Sequence, residues 1–141
     1  MILAAIASGI LADVDLTTDI ADRVFFQRRP HGVAGSCIVL DQRGVRQLDE
    51  ITGKPSCDAT TVEFNVWVRG SSALPVVARI GNRLRTLYEG YRGALGNTFV
   101  HGCDLQNDIP VPVSPRDQSD SWQHRRTLTM RFTATNNIQR V

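Results

Sequence analysis

Residues 60–93, TTVEFNVWVRGSSALPVVARIGNRLRTLYEGYRG, carry the pattern that decides the fold. Between residues 60 and 69 apolar and polar side chains alternate, which is typical of a strand with one buried face. The side chains on the predicted buried face are Val62, Phe64, Val66 and Val68. Those on the other face are Thr61, Glu63, Asn65, Trp67 and Arg69. We therefore expect a central strand here.

A helix is predicted to follow this strand. Ser71 or Ser72 can cap its N-terminus, Pro75 is tolerated in its first turn, and Gly90 and Gly93 end it. The predicted buried face consists of Leu74, Val77, Ala78, Gly81, Leu84, Leu87 and Tyr88. The predicted outer face consists of Arg79, Asn82, Arg83, Arg85 and Glu89. A glycine in mid-helix costs about 1 kcal/mol relative to alanine, so Gly81 indicates a close contact with the sheet.

The rest of the chain adds a first helix and further strands. Residues 2–12 form an amphipathic helix that buries Leu3, Ile6, Ala7 and Ile10, and Thr17 or Thr18 caps a short second helical turn. Extended segments are predicted at residues 24–27, 37–41, 99–105 and 122–135. The last of these turns Leu128, Met130, Phe132 and Ala134 inward.

These elements predict an α+β fold with a single, mainly antiparallel sheet and helices packed on one face. The whole chain, residues 1–141, is expected to form one domain, because its length is that of a typical domain. Two polar stretches interrupt the pattern. Residues 42–59 are predicted to be a long loop or a weak hairpin, and residues 106–120 a proline-rich loop.

Composition excludes several classes of protein. The net charge is only +2, which argues against binding of nucleic acid through bulk electrostatics. The apolar start of the chain is too short to span a membrane and lacks a basic segment, so we expect neither an anchor nor a signal peptide. Three cysteines, Cys37, Cys57 and Cys103, do not suggest a disulfide framework, which favours a cytoplasmic protein.

Motifs that would indicate catalysis or cofactor binding are incomplete. His101 and Cys103 lack the paired spacing of a zinc site, and Cys37 begins an apolar strand, where a thiol is inert. Around Lys54 the phosphate-loop pattern fails, because Leu48 and Pro55 occupy its glycine and hydroxyl positions. We therefore expect no enzymatic activity, no cofactor and no metal.

Surface arginines and one tryptophan are the candidate functional residues. Arg79, Arg83 and Arg85 share the outer face of the helix, and Arg125 and Arg131 the outer face of the last strand. They form a solvated surface, a subunit interface or a basic track that faces DNA. Trp67 lies outward on the central strand, where either another helix or a neighbouring subunit covers it.

The order of these elements resembles a known family. A short N-terminal helix precedes the turn LTTDIADRVFF, then come CIVLD, the strand VEFNVWV, a helix that closes in LYEGYRG, and the last strand RRTLTMRFTA. This order is similar to that of the small tail-completion or tail terminator proteins of long-tailed phages, the tail-to-head joining family related to minor tail protein U. The resemblance covers most of the chain and includes no catalytic signature.

The resemblance implies a structural virion protein. Members of the family assemble, typically as a hexameric ring, on the head-proximal end of the tail, where they stop tube polymerisation. The implied partners are further copies of the chain, the tail tube protein and the head connector or stopper, with DNA passing through the lumen without sequence-specific binding. The alternatives are a small α+β module that binds nucleic acid or protein, and a head-completion stopper protein.

Overall fold

The computed structural model describes residues 2–27, 35–49, 55–69, 73–113 and 123–135. In chain order the elements are α1 (Ile2–Leu11), α2 (Val14–Ile20), β1 (Val24–Phe26), β2 (Cys37–Asp49), β3 (Pro55–Arg69), α3 (Ala73–Tyr88), β4 (Gly93–Leu95), β5 (Thr98–Val113) and β6 (Gln123–Thr135). This confirms the predicted α+β class. None of the helices in the described ranges is long and apolar enough to cross a membrane.

The strands form one six-stranded sheet in the order β1-β2-β3-β6-β5-β4, curved into a half-barrel. All neighbours are antiparallel except β1 and β2. The predicted strand β3 lies at the centre, where Phe64 is opposite both Leu40 of β2 and Leu128 of β6. Because β3 bonds on both sides, its register fixes the faces of the long strands around it.

The three helices pack on one face of this sheet and bury the apolar residues that point toward them. Val62, Phe64, Val66 and Val68 of β3 lie in this core, as the alternation predicts. The predicted inward residues of β6 and of α1 are also buried: Leu128, Met130, Phe132, Ala134, Leu3, Ile6, Ala7 and Ile10. Alternation of period two in the strands and of three to four in α1 is thus sufficient to identify the core face.

The two predicted loops are largely strands. Residues 42–49 and 55–59 lie in β2 and β3, so the hairpin alternative is correct for the described part of residues 42–59. Residues 106–113 continue β5, and only residues 114–120 of that predicted loop lie outside the described residues. Pairing with β3 and β6 supplies long-range backbone hydrogen bonds, which override the weak local strand propensity of these polar segments.

Two details of the helices differ from the prediction. The N-cap of α2 is Asp13, whose carboxylate accepts a hydrogen bond from Leu16 N–H at 3.1 Å, whereas the Thr17 and Thr18 hydroxyls bond to Val14 O inside the helix. In α3, Ile80 is buried although the prediction omits it, and Ala78 is exposed although the prediction places it inward. The proposed caps Ser71 and Ser72 and the side chain of Leu74 lie outside the described residues.

Two glycines leave space for large side chains, Gly81 between α3 and the sheet and Gly9 between α1 and α3. A Cβ on Gly81 of α3 would overlap with the Arg126 guanidinium of β6, so the close contact predicted for Gly81 is with this side chain. A Cβ on Gly9 of α1 would lie 2.8 Å from the Tyr88 hydroxyl. That buried hydroxyl donates a hydrogen bond to Ile6 O at 3.2 Å, which joins α3 to α1. Both glycines therefore serve packing.

We expect Gly81→Ala to destabilise the fold by roughly 1–3 kcal/mol, as overpacking usually does, although alanine is the better helix former. In an Arg126→Ala background the same change should be neutral or stabilising, because the overlapping guanidinium is gone. Urea denaturation of the four proteins in this cycle measures the coupling. Equal effects of Gly81→Ala in both backgrounds would contradict the role given to Arg126.

Candidate functional site

The structure separates the predicted interface residues into two groups on opposite sides of the molecule. Arg79, Arg83 and Arg85 lie on α3, on the helical side of the sheet. Trp67, Arg125 and Arg131 alternate with buried core residues in β3 and β6, so they lie on the other face, here called the open face. Among the described residues, the six therefore do not lie on one side of the sheet.

The first two arginines of α3 bind the short helix α2. Arg79 Nε donates to Asp19 Oδ2 at 2.9 Å, and Arg83 forms a bidentate pair with Asp13. Asp13 and Asp19 are 9% exposed at their side chains, whereas Arg79 is 59% exposed. The Arg83 guanidinium lowers the pKa of Asp13 below its ordinary value. These arginines thus clamp α2 to α3 while the Arg79 side chain still faces solvent.

A second junction, between α3, β5 and β6, centres on Asp108. Arg126 donates to both oxygens of Asp108, at 2.8 and 2.6 Å, and Arg85 Nη1 reaches Oδ2 at 3.4 Å. Arg126 Nη1 also bonds to Ala78 O and Asn82 Oδ1 of α3. Arg126 and Asp108 are 12% and 18% exposed. Sequence reasoning did not find this pair, because Asp108 was assigned to a loop.

The open face carries a connected polar network. Asn65, only 6% exposed, accepts hydrogen bonds at Oδ1 from Arg125 and Thr127 and donates from Nδ2 to Glu63. Glu63 in turn accepts two hydrogen bonds from Arg43, both at 3.1 Å. These bonds to Arg43 lower the pKa of Glu63. The outward polar residues of β3 therefore form a fixed array across three strands.

Trp67 lies at the end of this array and is half-buried. The Arg125 guanidinium carbon is 4.9 Å from the centroid of its ring, a cation–π distance. The three helices of the described chain pack on the other face of the sheet, so the alternative in which a helix covers Trp67 is wrong for the described residues. Trp67, Arg125 and Arg43 border an open recess of about 190 Å³.

The other predicted member of the open face, Arg131, pairs with Asp104 of β5 at 3.3 Å. Both side chains are well exposed, at 47% and 65%.

The open face offers charged and aromatic contact groups. Within the described ranges, no three histidine, cysteine or acidic residues are grouped as metal ligands. Burial raises the pKa of the Cys103 thiol to about 12, so this cysteine stays protonated.

Comparison with known proteins gives a structural match. A chain from a structure described as "Virion of native gene transfer agent (GTA) particle" superimposes with a TM-score of 0.74 and 16% sequence identity. The match covers 94% of this chain and 93% of that chain. The chain shares the fold of that virion protein. No protein-family model and no curated protein matches the sequence.

Replacing Asp108 with asparagine should cost roughly 1–3 kcal/mol, because Arg126 then lacks a charged acceptor in a mostly buried position. The matched control is Asp104→Asn on the same strand, whose exposed pair with Arg131 should contribute close to nothing. Chemical denaturation of both variants provides the measurement. A loss for Asp104→Asn as large as for Asp108→Asn would contradict this ranking.

Acid should destabilise the protein through the paired carboxylates. Asp13 and Asp108 have pKa values below the ordinary 3.8, mainly because arginines bond to them. Their contribution is therefore complete above pH about 4, where the unfolded carboxyls are ionised, and is lost as the pH falls through the lower folded values. We expect Asp13→Asn, which keeps a capping side chain, to reduce this acid dependence in denaturation curves between pH 2 and 6. An unchanged slope would contradict the assignment.

Proposed function

We propose that this chain is a structural protein of a phage-like virion, and that it forms a ring at the head-proximal end of the tail. There it terminates polymerisation of the tail tube and joins the tail to the head connector. The observation that carries the proposal is the likeness to a chain of a gene transfer agent virion over nearly the full length of both chains.

The ends of the sheet fit a subunit that is placed between two layers. The register puts Asp49 and Pro55, where the β2–β3 connection leaves the sheet, at one end of the long strands. Val113 and Gln123, where the β5–β6 connection leaves it, lie with Arg69 at the opposite end. We propose that one end of the sheet contacts the tail tube protein and the other end the head connector or stopper. This geometry supports two axial partners in addition to self-association.

The open face supports a role in recognition. Tryptophan and arginine are enriched among the residues that dominate binding energy, and Trp67 and Arg125 are adjacent here. Because Asn65 and Glu63 hold Arg125 and Arg43 in place, less side-chain entropy is lost on association. We propose that Trp67, Arg125 and Arg131 contact other subunits or DNA in the lumen without reading its sequence. Arg79, Arg83 and Arg85 contribute on the helical side.

The proposed role is structural and not enzymatic, and the expected location is the virion, after assembly in the bacterial cytoplasm. No cofactor takes part in it. The paired carboxylates described above are held by arginines, which keep them ionised and fix α2, β5 and β6. Such fixed carboxylates stabilise a rigid subunit and are poorly suited to accept and release protons.

Sedimentation velocity tests the proposal. The purified chain, alone and mixed with the tail tube protein of the same particle, should contain a species of ring size, typically six subunits. Electron microscopy should place that ring at the head-proximal end of tubes, and tubes formed with it should be shorter. A monomer both alone and with the tube protein, or a ring that leaves the tube length unchanged, would contradict the proposal. Binding to the connector but not to the tube would indicate a stopper instead.

A further inference from the structure

The two edges of the sheet are each covered by one very short strand. On one side β1 pairs with residues 38–40 of β2, and on the other β4 pairs with residues 98–100 of β5. Both β2 and β5 continue well beyond these contacts. Unpaired N–H and C=O groups along a sheet edge are a template for another strand. The two uncovered segments are therefore candidates for contact between subunits.

The uncovered segment of β2 begins after Leu40. Ile38 N–H donates to Arg23 O, and Leu40 O accepts from Gln27 N–H, so the backbone groups of Ile38 and Leu40 point away from β3. The irregularity between Gln42 and Gly44 shifts this alternation, so the backbone N–H and C=O of Val45 point away from β3 toward the free edge. Beyond Leu40, no backbone group of the described residues bonds to this edge. We call residues 41–46 the β2 window.

The uncovered segment of β5 is limited at both ends. Cys103 O accepts from Gly90 N–H at 2.8 Å, which occupies the edge on one side. Pro110 and Pro112 have no N–H, so within a paired strand they face away from β6 and remove donors from the free edge. Between Cys103 and Pro110, no backbone group of the described residues bonds to the outer edge of residues 104–109. We call these residues the β5 window.

The two windows match in position. Asp41 and Gly44 of β2 lie, across β3, at the level of Thr129 and Arg131 of β6. Asn107 and Asp104 of β5 pair with the same two residues of β6. Both windows are therefore at nearly the same height in the sheet. Copies related by a rotation can join them with little slide along the strands, as a closed ring requires.

The windows also match in charge. Residues 41–46 include Arg43, Arg46 and one acidic residue, Asp41, which pairs with Arg43. Residues 104–109 include Asp104 and Asp108 with no basic residue. Arg46 is opposite Ala59, and Asp104 is opposite Arg131, so both project from the open face. Because β2 and β5 run in opposite directions within the sheet, equally oriented copies pair them antiparallel. A register that places Arg46 opposite Asp104 also places Arg43 opposite Asn107.

We propose that copies of this chain join edge to edge, with the β2 window of one copy paired antiparallel to the β5 window of the next. The inference rests on the proposed ring function and names the interface for it. The contact is heterologous, because it uses two different edges, and such contacts generate rings when the rotation closes. Pro110, Pro112 and the bond from Gly90 limit the β5 part of the ladder to residues 104–109.

Cysteine cross-linking tests this register. In a Cys57→Ser background, Arg46→Cys combined with Asp104→Cys should give disulfide-linked ladders up to the ring size on non-reducing gels. The two sites are three strand spacings apart within one chain, about 14 Å, which is too far for an internal disulfide. Either cysteine alone should give no cross-linked species. Cross-linking by Arg46→Cys alone would show a two-fold β2–β2 contact and overturn the proposal.

Charge reversal gives a second test of the same contact. Arg46→Glu should reduce the ring fraction at least tenfold at low salt, and Arg46→Glu with Asp104→Arg should restore it. The edge pairing would be overturned, and the proposed function left intact, if the unmodified chain forms a ring but the two cysteines do not cross-link and Arg46→Glu does not weaken the ring. If no oligomer forms in any mixture with the tube protein, both the pairing and the proposed function are wrong.

Discussion

The packing of α3 on the centre of the sheet is the constraint on which the rest of the structure depends. Phe64 of β3 and Phe132 of β6 pack against Tyr88 of α3, and their ring centroids lie 5.7 and 6.0 Å from that of Tyr88. Arg126 passes beside Gly81 to reach Asp108, so one charged side chain links the helix to two strands. Interiors are close-packed, and this contact therefore sets the distance between helix and sheet.

The polar residues of α3 extend this packing to the N-terminal helices. Arg79 and Arg83 hold Asp19 and Asp13, and Asp13 at the same time caps α2. In isolation such surface pairs contribute little, but the poorly exposed carboxylates give these pairs a defined geometry. Each of these two arginines, predicted from the sequence as an interface residue, thus also holds α2 against α3. Its exposed surface remains available to a partner.

The fold and the edges together suit the proposed ring subunit, which must assemble in a limited way. Long antiparallel strands provide two edges, and unguarded edges lead to unlimited association. Here β1 and β4 cover part of each edge, and prolines at 110 and 112 remove donors from another part. Among the described residues, two short segments at nearly one height have no neighbouring strand, and their net charges are of opposite sign. A ring subunit needs such a restricted, heterologous contact, because further pairing would give filaments or aggregates.

The sequence by itself determined the class of fold, the central strand β3 and the inward residues of α1, β3 and β6, because alternation and helical periodicity directly report which face is buried. In α3 it included the exposed Ala78 and missed the buried Ile80. It also indicated a close contact at Gly81. The continuation of β2 was only one of two alternatives, and that of β5 was not predicted, since those strands form through hydrogen bonds to distant partners and not through local propensity. For the same reason only the tertiary structure decided that Asp108 meets Arg126, that Asn65 is buried under Arg125, and that the two edge windows lie at one level.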